Sequence, residues 1–544
     1  MKKFLYRDID CGGEIRHRMD LAANHILEMD VDAVFARHFK KRKPIPEVPG
    51  HFAGYGMLLD AVVKAVASGI CEKKLADWKE KQIAELIRTQ SMDGSISIFS
   101  GKRGVWDNHE QAYIIQAFVQ DYALHGNQEA LKSALRLGFY LIKEKTELNL
   151  GLESAFLMLY RESGERAFLD YCLNEFSLAG SLAEFDGKIP VNGSIHVYTW
   201  IARVLAQFQL GQWTDAGTGN LPEGVLELYR RIFGGGYPMI TGGCSGVPPW
   251  GEIWDRSQDG FGRRGETCAA AYLMRMTGEM IAFDGGTRYG DLFERIMYNT
   301  FFAAQSPDGK QTRYFVPVDE PFEWYPHDTY CCPNNFRRML FEIPENIYFQ
   351  TSGGGIYVNL YTDSTLKTER FRLEQKTAYP ETTSGSFTVR ASAPVDFELS
   401  LRIPGWCRNA VIRCGDMVCS GESGGVWKMR RLWHDGDKVE FDFANPPRMI
   451  TGYAAQTGRA ALMRGPLVYG SPEKRTNGFL TLSYLPEEIR PEGDSLLVPM
   501  QTTCFRPKRM EIPFCRFSSP KRMQTYFDAS RITGLLKEDE LFKH

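Results

Sequence analysis

The sequence has no excess charge of one sign: 65 Lys and Arg stand against 67 Asp and Glu in 544 residues, a net −2. That balance offers no electrostatic footprint for nucleic acid or for an anionic membrane surface. No uninterrupted apolar run approaches the ~18 residues that a membrane-spanning helix needs. The N-terminal MKKFLYRDIDCGGE turns polar too early for a signal-peptide core. The expectation is a soluble, cytoplasmic protein that binds neither nucleic acid nor membrane. Disordered or fibrous character is excluded by 43% hydrophobic and 24% charged residues. CxxC pairs are missing, although the chain has 12 cysteines. In a large chain without an export signal these are buried thiols, metal ligands or nucleophiles rather than a disulfide scaffold. At roughly 150 residues per domain, the length predicts about two to four domains.

What is present has two textures. Up to about Tyr348, apolar residues recur at helical spacing, as in Met57–Val66, Ala76–Leu86, His109–Tyr122, Leu131–Ile142, Leu152–Tyr160, His196–Leu210 and Ala269–Phe283. YALHGNQEAL (122–131), YRESGERAFL (160–169) and RMTGEMIAF (275–283) echo one another, each reading as a helix that ends at Gly and restarts. Repetition of this kind predicts an α/α toroid. Past Tyr348 come short alternating runs, 355–362, 386–392, 396–404, 438–443 and 461–470, separated by turn signals such as SGG and HDGD. They predict β-sandwich structure. Ile343-Pro344-Glu345-Asn346 and Ser352-Gly353-Gly354-Gly355 place the change near 348, giving a helical domain over 1–348 and a β-sandwich region over 349–544.

Eight cysteines, Cys11, Cys71, Cys172, Cys407, Cys414, Cys419, Cys504 and Cys515, lie singly and read as buried small hydrophobes. Cys244, in ITGGCSG, is undecided. Cys268 in RRGETCAAAY and the adjacent Cys331 and Cys332 in TYCCPNNFRR are different. Successive side chains of an extended chain point opposite ways, so both sulfurs of the pair face one ion only at a kink. Pro333 pushes its predecessor out of the α region, and Asn334-Asn335 favours a turn. Glu266 and Cys268, two residues apart, cannot share a face inside a helix, so they must lie at or before a helix start. Glu266, Cys268, Cys331 and Cys332 thus form a four-ligand set whose soft thiolates point to Zn²⁺.

GETCAAA and YCCPNN, in this order and followed by GGIYVNLYTDS, resemble the β-L-arabinofuranosidases of glycoside hydrolase family 127. The resemblance extends from PGHFAGYGMLLDA at 49–61 into the β region. It implies an N-terminal (α/α)6 barrel followed by β-sandwich modules, and a retaining glycosidase with a zinc-bound cysteine nucleophile. Carried onto this sequence, Glu266, Cys268, Cys331 and Cys332 match the zinc ligands, and Cys331 takes the nucleophile position. Glu252, in VPPWGEIWD, matches the general acid/base. Trp250 and Trp254 beside it can desolvate a carboxyl or stack on a sugar, and Asp255 and Asp259 compete from the same loop. The resemblance also matches His196 to a sugar-contacting histidine.

His51, His109 and His196 stand at or near predicted helix starts, where a toroid pocket opens, and with Tyr314 and Trp250 they are the candidate sugar contacts. Tyr330 and Trp106 are further candidates. Arg263, Arg264, Arg337 and Arg338 flank the two motifs. They could supply donors to an anionic metal cluster or bind a carboxylate-bearing sugar. The resemblance implies as substrate an oligosaccharide or glycoside of β-L-arabinofuranose, or of an unusual plant sugar such as aceric acid. Two other classes fit the same features: a toroid sugar isomerase or lyase with a structural zinc, and a non-catalytic carbohydrate-binding protein. The sequence leaves the oligomeric state open, a homodimer included.

Overall fold

The computed structural model describes residues 1–47, 49–100, 105–146, 151–180, 197–214, 223–236, 238–244, 257–260, 264–319, 323–472, 482–520 and 524–542. Six of its helices close a ring through mutual packing in chain order: Tyr55–Ala67, Val105–His125, Leu152–Ser163, Val197–Trp213, Thr267–Asp284 and Cys331–Glu342, the last returning to the first. Outside them pack Glu72–Arg88, Gln128–Lys143, Arg166–Asn174, Glu223–Gly234 and Thr287–Ile296, each following its inner helix, with Gly13–Glu28 behind Cys331–Glu342. This is the expected (α/α)6 barrel.

The division follows the sequence. Outer helices such as Gln128–Lys143 keep an apolar stripe for the ring and a polar face for water. The inner helix Tyr55–Ala67 is buried along nearly its whole length, polar Asp60 and Lys64 included. Short links with Gly126, Gly164 and Gly285 at positive φ turn the chain from inner to outer helix. The long connections therefore gather at the mouth where the inner helices begin. Gly278 does not end a helix as its echo suggested; it lies inside Thr267–Asp284, where a Cβ would meet Asn346 Oδ1 at 2.3 Å. Its role is close approach, not a turn.

Two sheets form a sandwich after the barrel. One runs Lys2–Lys3, Tyr348–Gln350, Ile356–Val358, Val395–Arg402, Val426–Trp433. The other runs Met417–Gly421, Ala410–Cys414, Lys438–Phe443, Ser384–Arg390, Arg372–Thr377, Ser364–Lys367, Ile9–Cys11. Residues 2–3 and 9–11 thus begin the chain yet pair with Phe349–Gln350 and Ser364–Leu366. A third sheet closes on itself, because Arg459–Arg464 pairs with both Leu467–Gly470 and Tyr526–Asp528. Arg448–Thr451, paired with Arg459–Arg464 alone among the strands, remains at an edge. The run 461–470 is a hairpin rather than one strand.

The third sheet braces the barrel mouth. Asp319 accepts hydrogen bonds from the Thr525 and Tyr526 backbone N–H groups, at 2.9 and 3.3 Å. The Tyr453 hydroxyl donates to Gly236 O at 2.5 Å. The Ala455 N–H donates to Ser257 O at 2.8 Å. No helix among the described residues is long and apolar enough to cross a membrane.

Candidate metal centre and active site

Glu266 caps the helix Thr267–Asp284, with extended backbone (φ −57°, ψ 132°), and Cys268 follows in its first turn. The spacing argument required that placement. A short antiparallel contact fixes the approach: Glu266 bridges Phe315, and Val316 N–H donates to Arg264 O and Gly265 O. Gly265 has φ +63°, and a Cβ there would stand 2.6 Å from Val316 O. Only glycine allows this strand to lie so near the metal-ligand candidates.

The cysteine pair reaches the same point differently from expectation. Cys331 and Cys332 are the first two residues of the helix Cys331–Glu342, with Pro333 in its first turn and Asn334-Asn335 helical. Proline is tolerated there because its missing N–H would have no helical partner. The sharp bend lies one residue earlier, at Tyr330 (φ 85°, ψ −179°). In a helix successive side chains diverge by about 100° rather than 180°, so two adjacent sulfurs can share a centre. Asn334 Nδ2 holds the bend by donating to Tyr330 O at 2.8 Å and Asp328 O at 2.9 Å.

Two helix starts thus bring Glu266, Cys268, Cys331 and Cys332 together. All four are buried, and one ligand atom from each lies within 4.8 Å of the others. The sulfurs of Cys268 and Cys332 are 3.2 Å apart, and Cys332 Sγ is 3.6 Å from Glu266 Oε1. Three sulfurs and one carboxylate oxygen at this separation suit a four-coordinate ion with M–S of about 2.3 Å. Burial, then the neighbouring sulfurs, raises the Cys268 and Cys332 thiols well above their ordinary range. Thiolates here need a cation beside them. The group could therefore hold a metal.

The surroundings are aromatic. The Tyr314 hydroxyl is 3.7 Å from Cys331 Sγ. Tyr330 stands between Tyr314 and Trp106, with centroids 6.1 and 5.9 Å away. His109 is fully buried between Phe52 and Tyr113, at 4.5 and 5.0 Å. His51 is half-buried, with Nδ1 2.6 Å from Ile45 O and its ring 6.0 Å from Phe99. His196, Trp250, Glu252, Trp254, Asp255 and Arg263 lie outside the described residues. Asp259 pairs with buried Arg264 at 3.7 Å. Arg337 is paired with Asp328 and Arg338 with Asp60.

Residues 19–345 match the β-L-arabinofuranosidase GH127 catalytic-domain model, and residues 355–445 match the GH127 middle domain. The chain belongs to glycoside hydrolase family 127. This family 127 member is 23% identical over 474 residues to the non-reducing end β-L-arabinofuranosidase of Bifidobacterium longum subsp. longum, covering 72% of this chain and 70% of that one. Its fold is similar to the crystal structure of a GH127 β-L-arabinofuranosidase from Geobacillus stearothermophilus T6, with TM-score 0.81 and 19% identity over 96% of this chain and 100% of that one. A second GH127 β-arabinofuranosidase structure is similar at TM-score 0.80 and 17% identity over 99% of both chains. As a family 127 protein, the chain is a glycoside hydrolase.

Several residues of this hydrolase's site escaped sequence reasoning. Asn335 Nδ2 donates to Cys268 Sγ at 3.3 Å. Tyr198 is buried, and its hydroxyl pKa is raised by burial and then by Cys331 and Cys268. Its only sequence signal was its place two residues after His196. Glu110 accepts from the N–H groups of Gly54 (2.7 Å) and Gly56 (2.9 Å), where a helix begins. Gly54, at φ +78°, lies so near Tyr330 O that a Cβ would be 2.6 Å from it. Glu110 thus anchors the helix start against which the Tyr330 bend rests.

Burial pushes the Glu110 carboxyl up to about 7, against the pull of the Gly56 and Gly54 N–H groups. Folded Glu110 keeps its proton through a range where the unfolded chain, with a pKa of about 4.3, has lost it. Its contribution is complete below about 4.3 and is lost as pH rises to about 7. Glu110→Gln is therefore expected to lower the thermal midpoint by an amount corresponding to about 1–3 kcal/mol at acidic pH. The deficit should shrink as pH rises to about 7. A deficit that is flat across melts from pH 4.5 to 8 contradicts a titrating Glu110.

Proposed function

We propose that this family 127 hydrolase is a retaining, Zn²⁺-dependent β-L-arabinofuranosidase that releases the sugar from a glycoside or oligosaccharide. The observation that carries the reading is the buried Glu266, Cys268, Cys331 and Cys332 cluster where inner helices begin. Its sulfur-rich donor set favours zinc over magnesium or calcium, which prefer oxygen. When bound there, zinc supplies the positive charge that keeps the sulfurs as thiolates at neutral pH. Glu266, Cys268 and Cys332 hold, and Cys331 both holds and attacks.

Cys331 Sγ adds to the anomeric carbon as Glu252 protonates the leaving oxygen, giving a sugar bound through C–S. Glu252 then takes a proton from water, which attacks the same carbon and breaks that bond. Two inversions leave the configuration unchanged. Tyr314, beside Cys331, would meet the sugar; His51, His196 and Trp250 complete the proposed sugar contacts, with His109, fully buried between Phe52 and Tyr113, behind them. The chemistry needs reduced thiols, which fits a reducing compartment such as the cytoplasm.

A neutral pentose suits the site better than aceric acid. Arg337 and Arg338, two cations offered for an acidic sugar, are buried against Asp328 and Asp60. The test is a panel of β-L-arabinofuranoside, α-L-arabinofuranoside and an oligosaccharide ending in aceric acid, with the first-formed anomer read by NMR. We expect turnover of the β-L-arabinofuranoside alone, with the β anomer appearing first. Release of aceric acid alone, or first appearance of the α anomer, overturns the assignment.

A further inference from the structure

Asn335 is fully buried on the helix that carries the cysteine pair. Its Nδ2 donates to Cys268 Sγ at 3.3 Å, across to the other helix start. Its Oδ1 accepts from Arg338 Nη1 at 3.2 Å. A guanidinium has donors only, so the oxygen of the amide must face Arg338 and the NH₂ must face the sulfur. Arg338 has no freedom of its own: Nε donates to Asp60 Oδ2 at 2.6 Å and Nη2 to Gln116 Oε1 at 2.8 Å. It also lies over the Tyr113 ring at 4.8 Å. Asp60 is shared with Lys64 at 2.6 Å. Three inner helices thus cooperate to aim one N–H at one sulfur.

We propose that Asn335 is a positioning residue for the metal centre, holding Cys268 as a ligand, and that Arg338 sets the direction of its amide. The inference rests on the metal-binding reading above. Three thiolates and a carboxylate around a dication leave two excess negative charges in a buried site. A donor to one sulfur draws off part of that charge, and outer contacts of this kind affect metal affinity by about 10–100-fold. Asn335→Asp keeps the shape but replaces the donor with an oxygen that repels the sulfur. Asn335→Ser removes the donor and is too short to reach Cys268.

The full-length protein, stripped and reloaded with Co²⁺, reports both effects without any turnover. Affinity comes from competition with a chelating indicator, and the sulfur-to-cobalt charge-transfer band reports the sulfur itself. Asn335→Asp should bind Co²⁺ about 10–100-fold more weakly than wild type. In both variants the band should move to lower energy, because a sulfur without its donor gives up charge more readily; a merely structural residue would not move it. If Asn335→Asp does not fold, Asn335→Ser decides by the same two readings. Affinity within threefold of wild type with an unmoved band overturns the role of Asn335. Wild-type protein that takes up no Co²⁺ overturns the metal reading instead.

Discussion

Cys331→Ser is expected to lower turnover of a β-L-arabinofuranoside by about 10⁴-fold or more, the scale at which a covalent nucleophile is lost. Serine keeps the volume but not the chemistry, since its hydroxyl stays protonated where a metal-held thiol ionises. The fold should survive, because Cys331 is a first-turn residue whose helix is secured by Asn334, Arg337 and Arg338. Glu266, Cys268 and Cys332 should retain much of the metal. Metal content and circular dichroism therefore belong beside the rate. A mechanism-based furanoside inactivator should label Cys331 in the wild type, seen as a mass shift on its peptide. A Cys331→Ser protein within tenfold of wild type, or a label on a carboxylate, removes Cys331 from the nucleophile role. That outcome would point to a hydrolase whose metal is structural and whose nucleophile is a carboxylate.

Much of this arrangement was legible because it rests on local rules. Helical periodicity located five of the six ring helices but not Cys331–Glu342, and Gly126 and Gly164 marked true breaks. Glu266 and Cys268 could be placed at a helix start because two residues so spaced cannot share a helical face. What escaped depends on partners distant in sequence. Arg337 and Arg338 looked available beside YCCPNN, yet Asp328 and Asp60 neutralise them, and Asp60 is 278 positions away. Asn335 looked like a turn residue because its sulfur partner is on another helix. Pro333 was misleading because proline breaks a helix interior but suits its first turn. Lys2–Lys3 and Ile9–Cys11 are too short to show alternation, and only their partner strands make them strands. The lone cysteines divided as well: Cys172, Cys407 and Cys414 are buried, whereas Cys504 is exposed.

Glu252→Gln should separate substrates by leaving group. Glu252 lies outside the described residues, but the described residues on either side of its stretch are held. Cys244 O accepts from Gly265 N–H at 3.1 Å, next to Glu266, and Ser257 O accepts from Ala455 N–H. Proton donation matters most when the leaving oxygen is basic, so a sugar-linked substrate should slow by about 10²–10⁴-fold. A dinitrophenyl β-L-arabinofuranoside needs no proton to depart and should still load the sugar onto Cys331. The second step then lacks its base, so the modified enzyme accumulates, visible by intact mass. Azide, which attacks without a base, should restore turnover and give the β-glycosyl azide. Equal losses on both substrates with no azide rescue would take the acid/base role from Glu252. Asp255→Asn would be the next variant, because Asp259 already pairs with Arg264.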